Sequence, residues 1–182
     1  MLYVLCSMTF SDPQKNIEQL DLGKGVKVAD FGAGSGFYTM ALARAVGSEG
    51  RVYAVDIQKD LLEKIKNNAR LEGLLNIEYV WGDLERLGGS KIQENFLDAA
   101  IVANILFQVE NRDVFITEAK RTLKPNGRIL VIDWSESFSG MGPEASRIIT
   151  KEQGKKLFLD KGFKLVKEIE AGSHHYGFIF SK

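Results

Sequence analysis

The sequence predicts an α/β protein whose mostly parallel sheet lies between two layers of helices. Strand-like and helix-like segments alternate along most of the chain, which is typical of a parallel sheet. Residues 97–104 (LDAAIVAN) are apolar on both faces, as a central strand covered by helices from each side must be. Near the C-terminus, two strands are separated only by Gly172 and its neighbours, so they must pair as an antiparallel hairpin.

The helices and strands follow from local signals taken in order. Ser11, Asp12 and Pro13 form a helix-start signal for a short leading helix. Apolar residues at helical spacing then predict a helix that Gly47 ends, and LKPNG predicts a turn before the fifth strand. The predicted strands are 26–31, 51–56, 77–81, 97–104, 128–133, 163–171 and 175–181, and the predicted longer helices are 35–46, 59–71, 111–123 and 150–161.

Size and composition indicate one globular domain over residues 1–182. We divide it into an N-terminal segment with a short helix (1–24), a ligand-binding core (25–134), and a loop, helix and terminal hairpin (135–182). Hydrophobic residues make up 45% and charged residues 26% of the 182, which excludes a wholly disordered chain.

Net charge and targeting signals limit the classes of partner and the cellular location that we expect. The 24 basic and 24 acidic residues balance, so no global field attracts nucleic acid or an anionic membrane, and a small-molecule partner is favoured. No apolar stretch reaches the ~20 residues of a membrane span, and the apolar start lacks a basic region, so we expect a cytoplasmic, unprocessed protein. Cys6 is the single cysteine, which excludes an intramolecular disulfide and a thiolate metal cluster.

The strongest chemical signal is a glycine loop at the end of the first strand. Asp30 closes the strand, and Gly32, Gly34 and Gly36 follow directly before a helix. Glycines allow a sharp turn and let a ligand lie against bare backbone, with helix-start amides facing it. A dinucleotide site would read G-x-G-x-x-G or G-x-G-x-x-A, but Phe37 occupies the last of those positions. Asp56 lies 20 residues after Gly36, where a carboxylate can bind ribose hydroxyls in either cofactor class.

Four motifs carry a resemblance to a known family. They are DFGAGSG after the first strand, AVD at the second, WGD at the third, and VAN before LKPNGRILVIDW. With them the chain resembles class I methyltransferases dependent on S-adenosylmethionine, of the ubiquinone/menaquinone-biosynthesis-like group. The resemblance implies a Rossmann-like three-layer αβα sandwich with seven strands in the order 3-2-1-4-5-7-6, the last antiparallel. It also implies S-adenosyl-L-methionine as the cofactor and S-adenosyl-L-homocysteine as its product.

The resemblance further implies a set of cofactor-binding residues. The glycine loop would hold the methionine end with Asp30 near the amino group, while Asp56 would bind the ribose, Ile57 would pack on adenine, and Asp83 would accept from the adenine amino group. Asn104 matches the position whose backbone contacts the methionine moiety. A helix cap for Asp83 and a turn role for Asn104 are the alternatives. The full set is Asp30, Phe31, Gly32, Ala33, Gly34, Gly36, Phe37, Asp56, Ile57, Gly82, Asp83, Leu84 and Asn104.

Catalytic candidates lie at the carboxyl edge of the predicted sheet. His174 and His175 begin the last strand, where a neutral imidazole would be a suitable base, and Asp133 ends the fifth strand. A base is needed only when the acceptor must lose a proton. Solvated or packed histidines and a strand-end cap at Asp133 are the alternatives. Residues 135–147, rich in glycine and serine, are either a mobile cover over the acceptor or a loop without a role.

Several further residues and functions stay open from the sequence. Phe107, Gln108 and Trp134 are candidates for lining the acceptor pocket, and Arg147 for pairing with an anionic acceptor. The leading function is methyl transfer to a small molecule. A catalytically silent S-adenosylmethionine sensor shares every motif, and a dinucleotide oxidoreductase is disfavoured by the glycine spacing. No metal site is expected, because no further histidine or cysteine completes a ligand set.

Overall fold

The computed structural model describes residues 11–138, 140 and 142–182; Cys6 lies outside them. The described chain alternates strands and helices before ending in a hairpin. The elements are α1 (Pro13–Glu18), β1 (Lys27–Phe31), α2 (Phe37–Val46), β2 (Arg51–Asp56), α3 (Lys59–Leu71), β3 (Ile77–Trp81), β4 (Leu97–Ala103), α4 (Arg112–Thr122), β5 (Leu123–Trp134), a short 3-10 turn (Ala145–Arg147), α5 (Lys151–Asp160), β6 (Lys164–Ile169) and β7 (His175–Ser181).

The seven strands form one sheet in the order β3-β2-β1-β4-β5-β7-β6. Strands β1 to β5 pair in parallel, and β7 pairs antiparallel with both β5 and β6. The expected fold class and strand order are therefore confirmed. Because β1 to β4 all run the same way, their carboxyl ends meet at one edge of the sheet, where ligands bind in open α/β folds.

Several element boundaries differ by a few residues from the sequence prediction, and for three of them the backbone shows the reason. Strand β5 begins at Leu123, because Leu123 already pairs with Leu97 before an irregularity in the register. The predicted LKPNG turn is present as a bulge within the strand, because β5 advances from Leu123 to Arg128 while β4 advances from Leu97 to Ala99, and Asn126 has φ 64. Strand β4 ends one residue early, since Asn104 has a left-handed backbone (φ 56) that breaks the extended chain. Helix α2 starts at Phe37, because Gly36 with φ 86 is its N-cap.

The core occupies both faces of the sheet, which explains the doubly apolar β4. Alternate strand residues pack against α1, α2 and α3 on one face and against α4 and α5 on the other. In β4, Ile101 belongs to the first cluster and its neighbours Ala100 and Val102 to the second. Among the described residues, no helix is long and apolar enough to cross a membrane.

The buried side-chain amide of Asn16 links helix α1 to the rest of the fold. Asn16 Nδ2 donates to the Tyr38 hydroxyl (3.0 Å) and to the carbonyl of Ala171 (3.2 Å). The Ser11 hydroxyl lies 3.0 Å from the same Tyr38 hydroxyl. These bonds place the start of α1 beside the carboxyl edge of the sheet.

Candidate functional site

A cavity of about 570 Å³ opens at the carboxyl edge of the sheet, within the usual size range of small-ligand sites. It lies over the ends of β1, β2 and β4 and the residues that follow β3. Eleven of the thirteen predicted cofactor-binding residues line it. They are Asp30, Gly32, Ala33, Gly34, Phe37, Asp56, Ile57, Gly82, Asp83, Leu84 and Asn104.

Two of the predicted residues support the cavity without lining it. Phe31 is fully buried in the core beneath the sheet, because alternate residues of a strand face opposite sides. Gly36 packs against Ile65 of α3, whose Cγ1 would lie 2.6 Å from any added Cβ. The third glycine therefore serves close packing of the loop on a helix, and no direct ligand contact follows from its position.

The glycine loop is held by the carboxylate at the end of β2. Asp56 Oδ2 accepts the N–H of Gly34 (2.9 Å), and Oδ1 accepts the N–H of Gln58 (2.8 Å). The N–H groups of Gly32 and Ala33 donate to the carbonyl of Val55 at 2.9 and 3.1 Å. Gly34 has φ 52, and the atom nearest to an added Cβ would be 3.8 Å away, so its backbone borders open space. The loop is thus rigid and presents bare backbone to the cavity.

Asp30 brings a buried carboxylate to the same cavity. Its side chain is 2% exposed and accepts a hydrogen bond from the Thr39 hydroxyl (2.6 Å). Burial raises the pKa of Asp30 to about 6; the Thr39 bond lowers this pKa in part, and the negative charge of Asp56 raises it. A cation in the cavity would stabilise the ionised form, so the site suits a positively charged ligand.

The end of the cavity next to β2 and β3 combines an apolar surface with an acidic group. Ile57 is 60% exposed although it is large and apolar, and its carbonyl accepts the indole N–H of Trp81 (2.9 Å). Asp83 Oδ1 accepts the N–H of Glu85 (3.0 Å), and Oδ2 pairs with Arg86 (3.0 Å). An apolar platform beside a carboxylate fits a flat, amine-bearing ring system.

Asn104 supplies a polar atom that lacks a partner. Its backbone N–H donates to Ile132 O (2.9 Å), and its carbonyl accepts from Gln108 Nε2 (3.1 Å). The side-chain oxygen Oδ1 is buried without a hydrogen bond. A buried acceptor without a partner costs free energy, so a ligand that donates a hydrogen bond here would be favoured. Together with Asp30 and Asp56, this atom shows that the residues present fit a ligand with amino and hydroxyl donors.

The three catalytic candidates lie outside the lining of this cavity. His174 Nδ1 is 2.7 Å from Glu136 Oε1, and its ring stacks on Phe138 with centroids 4.2 Å apart. His175 Nδ1 hydrogen-bonds to the Ser173 carbonyl (2.9 Å), and its ring borders a second cavity beside α1. Asp133 is buried beneath the carboxyl edge. The three remain hypotheses as catalytic groups; Asp133 meets the first cavity indirectly, through its hydrogen bond from the backbone of Leu106, the neighbour of the lining residue Ile105.

Other acceptor-side candidates divide in the same way. Gln108 lines the first cavity, whereas Phe107, Trp134 and Arg147 do not. Of residues 135–147, none that the structure describes lines it either, and Gly142 lies directly against the Trp134 ring, where an added Cβ would be 2.8 Å from Cε3. The described residues Phe138 and Gly142 of this segment therefore lie against His174 and Trp134, on the hairpin side of the molecule.

The sequence analysis missed several lining residues because they have no motif of their own. Leu61, Ile105, Val109 and Phe115 are apolar, and their periodicity indicates only ordinary packing. Ser11, Pro13 and Tyr38 reach the cavity because α1 docks beside α2. A signal existed for Gln58, since it directly follows the Asp56-Ile57 pair that the resemblance singled out.

Known proteins resemble this chain in sequence. The model of the family described as "Methyltransferase domain" matches residues 22–172. The ubiquinone/menaquinone biosynthesis C-methyltransferase of Idiomarina loihiensis is 33% identical over 117 residues, which are 64% of this chain and 45% of that protein. The corresponding enzyme of Shewanella pealeana is 33% identical over 121 residues, 66% of this chain and 47% of that one. The chain thus spans less than half the length of these curated relatives.

Solved structures agree in fold. An S-adenosylmethionine-dependent methyltransferase from Aquifex aeolicus superposes with a TM-score of 0.86 at 26% identity, covering 94% of this chain and 90% of that one. A type 11 methyltransferase from Sulfolobus solfataricus shares the fold at a TM-score of 0.74 and 24% identity, covering 96% and 94% of the two chains. The chain therefore belongs to the methyltransferase domain family, within its S-adenosylmethionine-dependent class.

Proposed function

We propose that this chain transfers a methyl group from S-adenosylmethionine to a small-molecule acceptor by in-line displacement. The observation that carries the proposal is that one cavity is lined by Asp30, the Asp56-braced glycine loop and Asn104, whose Oδ1 is buried without a partner. A buried carboxylate, bare backbone and a buried acceptor are what an amino acid with a neighbouring sulfonium requires.

The two ends of the ligand bind to different residues, at opposite ends of the cavity. Asp56 and Asp83 bind the nucleoside end, where carboxylates accept from ribose hydroxyls and the adenine amino group, and Ile57 covers the ring. Asp30 and Asn104 bind the ammonium end beside the glycine loop. The 60% exposed Ile57 and the 72% exposed Phe37 gain a covering apolar surface when the ligand is bound.

The chemistry asks little of the protein beyond alignment. When bound, the sulfonium supplies an electrophilic methyl group. The cavity walls orient the acceptor in line with it and exclude water, which contributes much of the rate. Among the lining residues, Ser11 and Tyr38 carry hydroxyls next to α1 that are candidates for contact with an acceptor. Because the matching relatives are named C-methyltransferases, activated carbon acceptors are the first class to test.

The experiment is a binding comparison followed by turnover. Isothermal titration with S-adenosylhomocysteine, S-adenosylmethionine and NAD should give saturable binding of the first two and none of NAD. Incubation with labelled S-adenosylmethionine and a panel of small carbon, oxygen and nitrogen nucleophiles should then transfer label. Binding without transfer to any acceptor would favour the sensor function. Absence of binding to both sulfur ligands would contradict the proposal.

The pH dependence of ligand affinity should report on Asp30. Its carboxyl has a pKa near 6 in the free protein, and a cationic ligand prefers it ionised, so bound ligand lowers that pKa. Affinity for S-adenosylmethionine should be constant above about pH 7 and fall by up to tenfold per pH unit below 6. Replacing Thr39 with valine removes the hydrogen bond that lowers the pKa and should move the midpoint upward. A profile flat from pH 5 to 8 would contradict the assigned role of Asp30.

A further inference from the structure

Asp133 is a buried carboxylate, 1% exposed, at the carboxyl end of β5. Its Oδ2 accepts the N–H of Leu106 (2.8 Å), and Oδ1 accepts the N–H of Trp134 (2.8 Å). The backbone of Ile105, next to Leu106, lies near enough to lower the pKa of the same carboxyl. The carboxylate thus joins the end of β5 to residues 104–111, which we call the β4–α4 loop.

A second contact holds the same point of the β4–α4 loop. Arg112 Nε, at the start of α4, donates to the carbonyl of Leu106 (2.7 Å). Leu106 is fully buried, and both its backbone N–H and its carbonyl are now bonded to neighbouring elements. Because its backbone N–H and carbonyl are both hydrogen-bonded, Leu106 has a defined position relative to β5 and α4.

The β4–α4 loop forms one wall of the ligand cavity. Asn104, Ile105, Gln108 and Val109 all line it. Ile105 also touches the glycine loop, because any Cβ added to Gly32 would collide with Ile105 Cδ1. A shift of the Ile105 backbone would therefore change the packing of this wall against the glycine loop.

We propose that Asp133 is a positioning residue whose carboxylate holds the β4–α4 loop, so that Asn104 and Ile105 close one wall of the cavity around the cofactor. The identity of the ligand rests on the proposed function. The bonds to backbone N–H groups, together with the absence of Asp133 from the cavity lining, distinguish this role from contact with the acceptor.

The strength of the hydrogen bonds between Asp133 and the β4–α4 loop depends on whether Asp133 is ionised. Burial raises its pKa to about 6, and the backbone groups of Trp134, Leu106 and Ile105 and the charge of Arg112 lower it in part. The Tyr176 hydroxyl faces the same charge, and its own pKa is raised by burial and by Asp133. Above pH 7 the carboxylate accepts the N–H groups of Leu106 and Trp134. Protonation at lower pH replaces part of that acceptor capacity with a donor, which weakens the hold.

The first test uses the unaltered protein. In an NMR titration from pH 8 to 5, the amide protons of Leu106 and Trp134, which bond to the carboxylate, and of Ile105, which lies beside it, should shift together with one midpoint near pH 6. Independent or flat profiles for these three amides would overturn the proposal. This measurement needs no ligand, so it decides the contact even if the proposed function fails.

The second test compares two matched substitutions. Asp133→Asn places an amide N–H₂ against backbone donors and should weaken S-adenosylhomocysteine affinity roughly tenfold at pH 8, with faster amide exchange at Ile105 and Leu106. Asp98→Asn is the control. Asp98 is also a carboxylate that accepts a backbone N–H, that of Lys27 (2.9 Å), but it lies at the start of β4, at the edge of the sheet opposite to the cavity. It should leave affinity unchanged.

The outcomes separate the possible roles. Unchanged affinity in Asp133→Asn would overturn the proposal even if Tm falls, because a merely structural residue lowers stability alone. If Asp133→Asn does not fold, Arg112→Met releases the Leu106 carbonyl and should weaken affinity by a smaller factor; unchanged affinity in that variant would overturn the proposal. Failure of the unaltered protein to bind S-adenosylhomocysteine counts against the proposed function and leaves the amide titration to decide the role of Asp133.

Discussion

Replacing Asp56 with alanine should weaken the binding of S-adenosylhomocysteine by at least about 100-fold, or roughly 2.7 kcal/mol. The side chain is buried and braces Gly34 and Gln58 through their backbone N–H groups, and in the proposed function it also accepts from the ribose. Its removal both loosens the glycine loop and deletes ligand contacts. Isothermal titration of the variant measures the loss.

A double-mutant cycle separates these two effects. The 2′,3′-dideoxy analogue of S-adenosylhomocysteine lacks the hydroxyls that Asp56 would bind, so the substitution should cost this analogue much less affinity. Equal losses for both ligands would mean that Asp56 acts on the loop alone. Asp60→Ala is the matched control, because Asp60 is an exposed carboxylate in the first turn of α3 that does not line the cavity. It should bind both ligands normally.

Replacing Glu118 with glutamine should lower the free energy of unfolding by about 3 kcal/mol. Glu118 is fully buried on α4, where it accepts the N–H of Gly88 (2.8 Å) and of Ser90 (3.1 Å), and it pairs with Arg121 (2.8 Å). The substituted amide turns a donor toward these donors and leaves Arg121 without its charge partner. Urea unfolding measures the loss, and a Tm decrease of roughly 6–12 °C should accompany it.

The same carboxylate predicts how stability changes in acid. Burial alone would raise the pKa of Glu118, but the bonds from Arg121, Ser90 and Gly88 outweigh it and lower the pKa to about 2. An acid with a lowered pKa stabilises the fold above its unfolded value, and this stability is lost as pH falls from about 4.5 toward 2. The difference in stability between the parent and Glu118→Gln should shrink over that range.

An exposed carboxylate provides the control for Glu118. Glu168 pairs with Lys151 and Lys155 on the surface, where solvent screens the charges. Glu168→Gln should unfold at nearly the same urea concentration as the parent. An equal effect of the two substitutions would contradict the structural role assigned to Glu118.

Much of the cavity could be predicted from the sequence because its residues follow strands directly. Asp30, Asp56 and Asp83 each stand at or just after the end of a parallel strand, so strand order alone brings them to one edge. The exceptions are predicted residues that lie next to lining residues in the sequence but do not line the cavity themselves. Phe31 belongs to the core beneath the sheet, and Gly36 packs on Ile65.

The catalytic candidates show where sequence reasoning stops. His175 begins β7 at the predicted edge of the sheet, yet its ring lies against Trp134, with centroids 4.3 Å apart, and borders the second cavity. Asp133 is the predicted last residue of β5 and lies second-last in it, yet its Oδ2 accepts from Leu106, in a loop 27 residues away in the chain. An edge of a sheet can be inferred from topology, but the side of that edge to which each group turns depends on contacts between distant segments.

The sequence by itself determined the alternation of helices and strands, the class of the family and the bare-backbone loop, because periodicity and glycine spacing are local properties of the chain. Only the tertiary structure decided that Asn104 Oδ1 is buried without a partner and that Asp133 braces the β4–α4 loop. Burial and hydrogen-bond partners are set by which segments meet in space, and this information is not contained in any short stretch of residues.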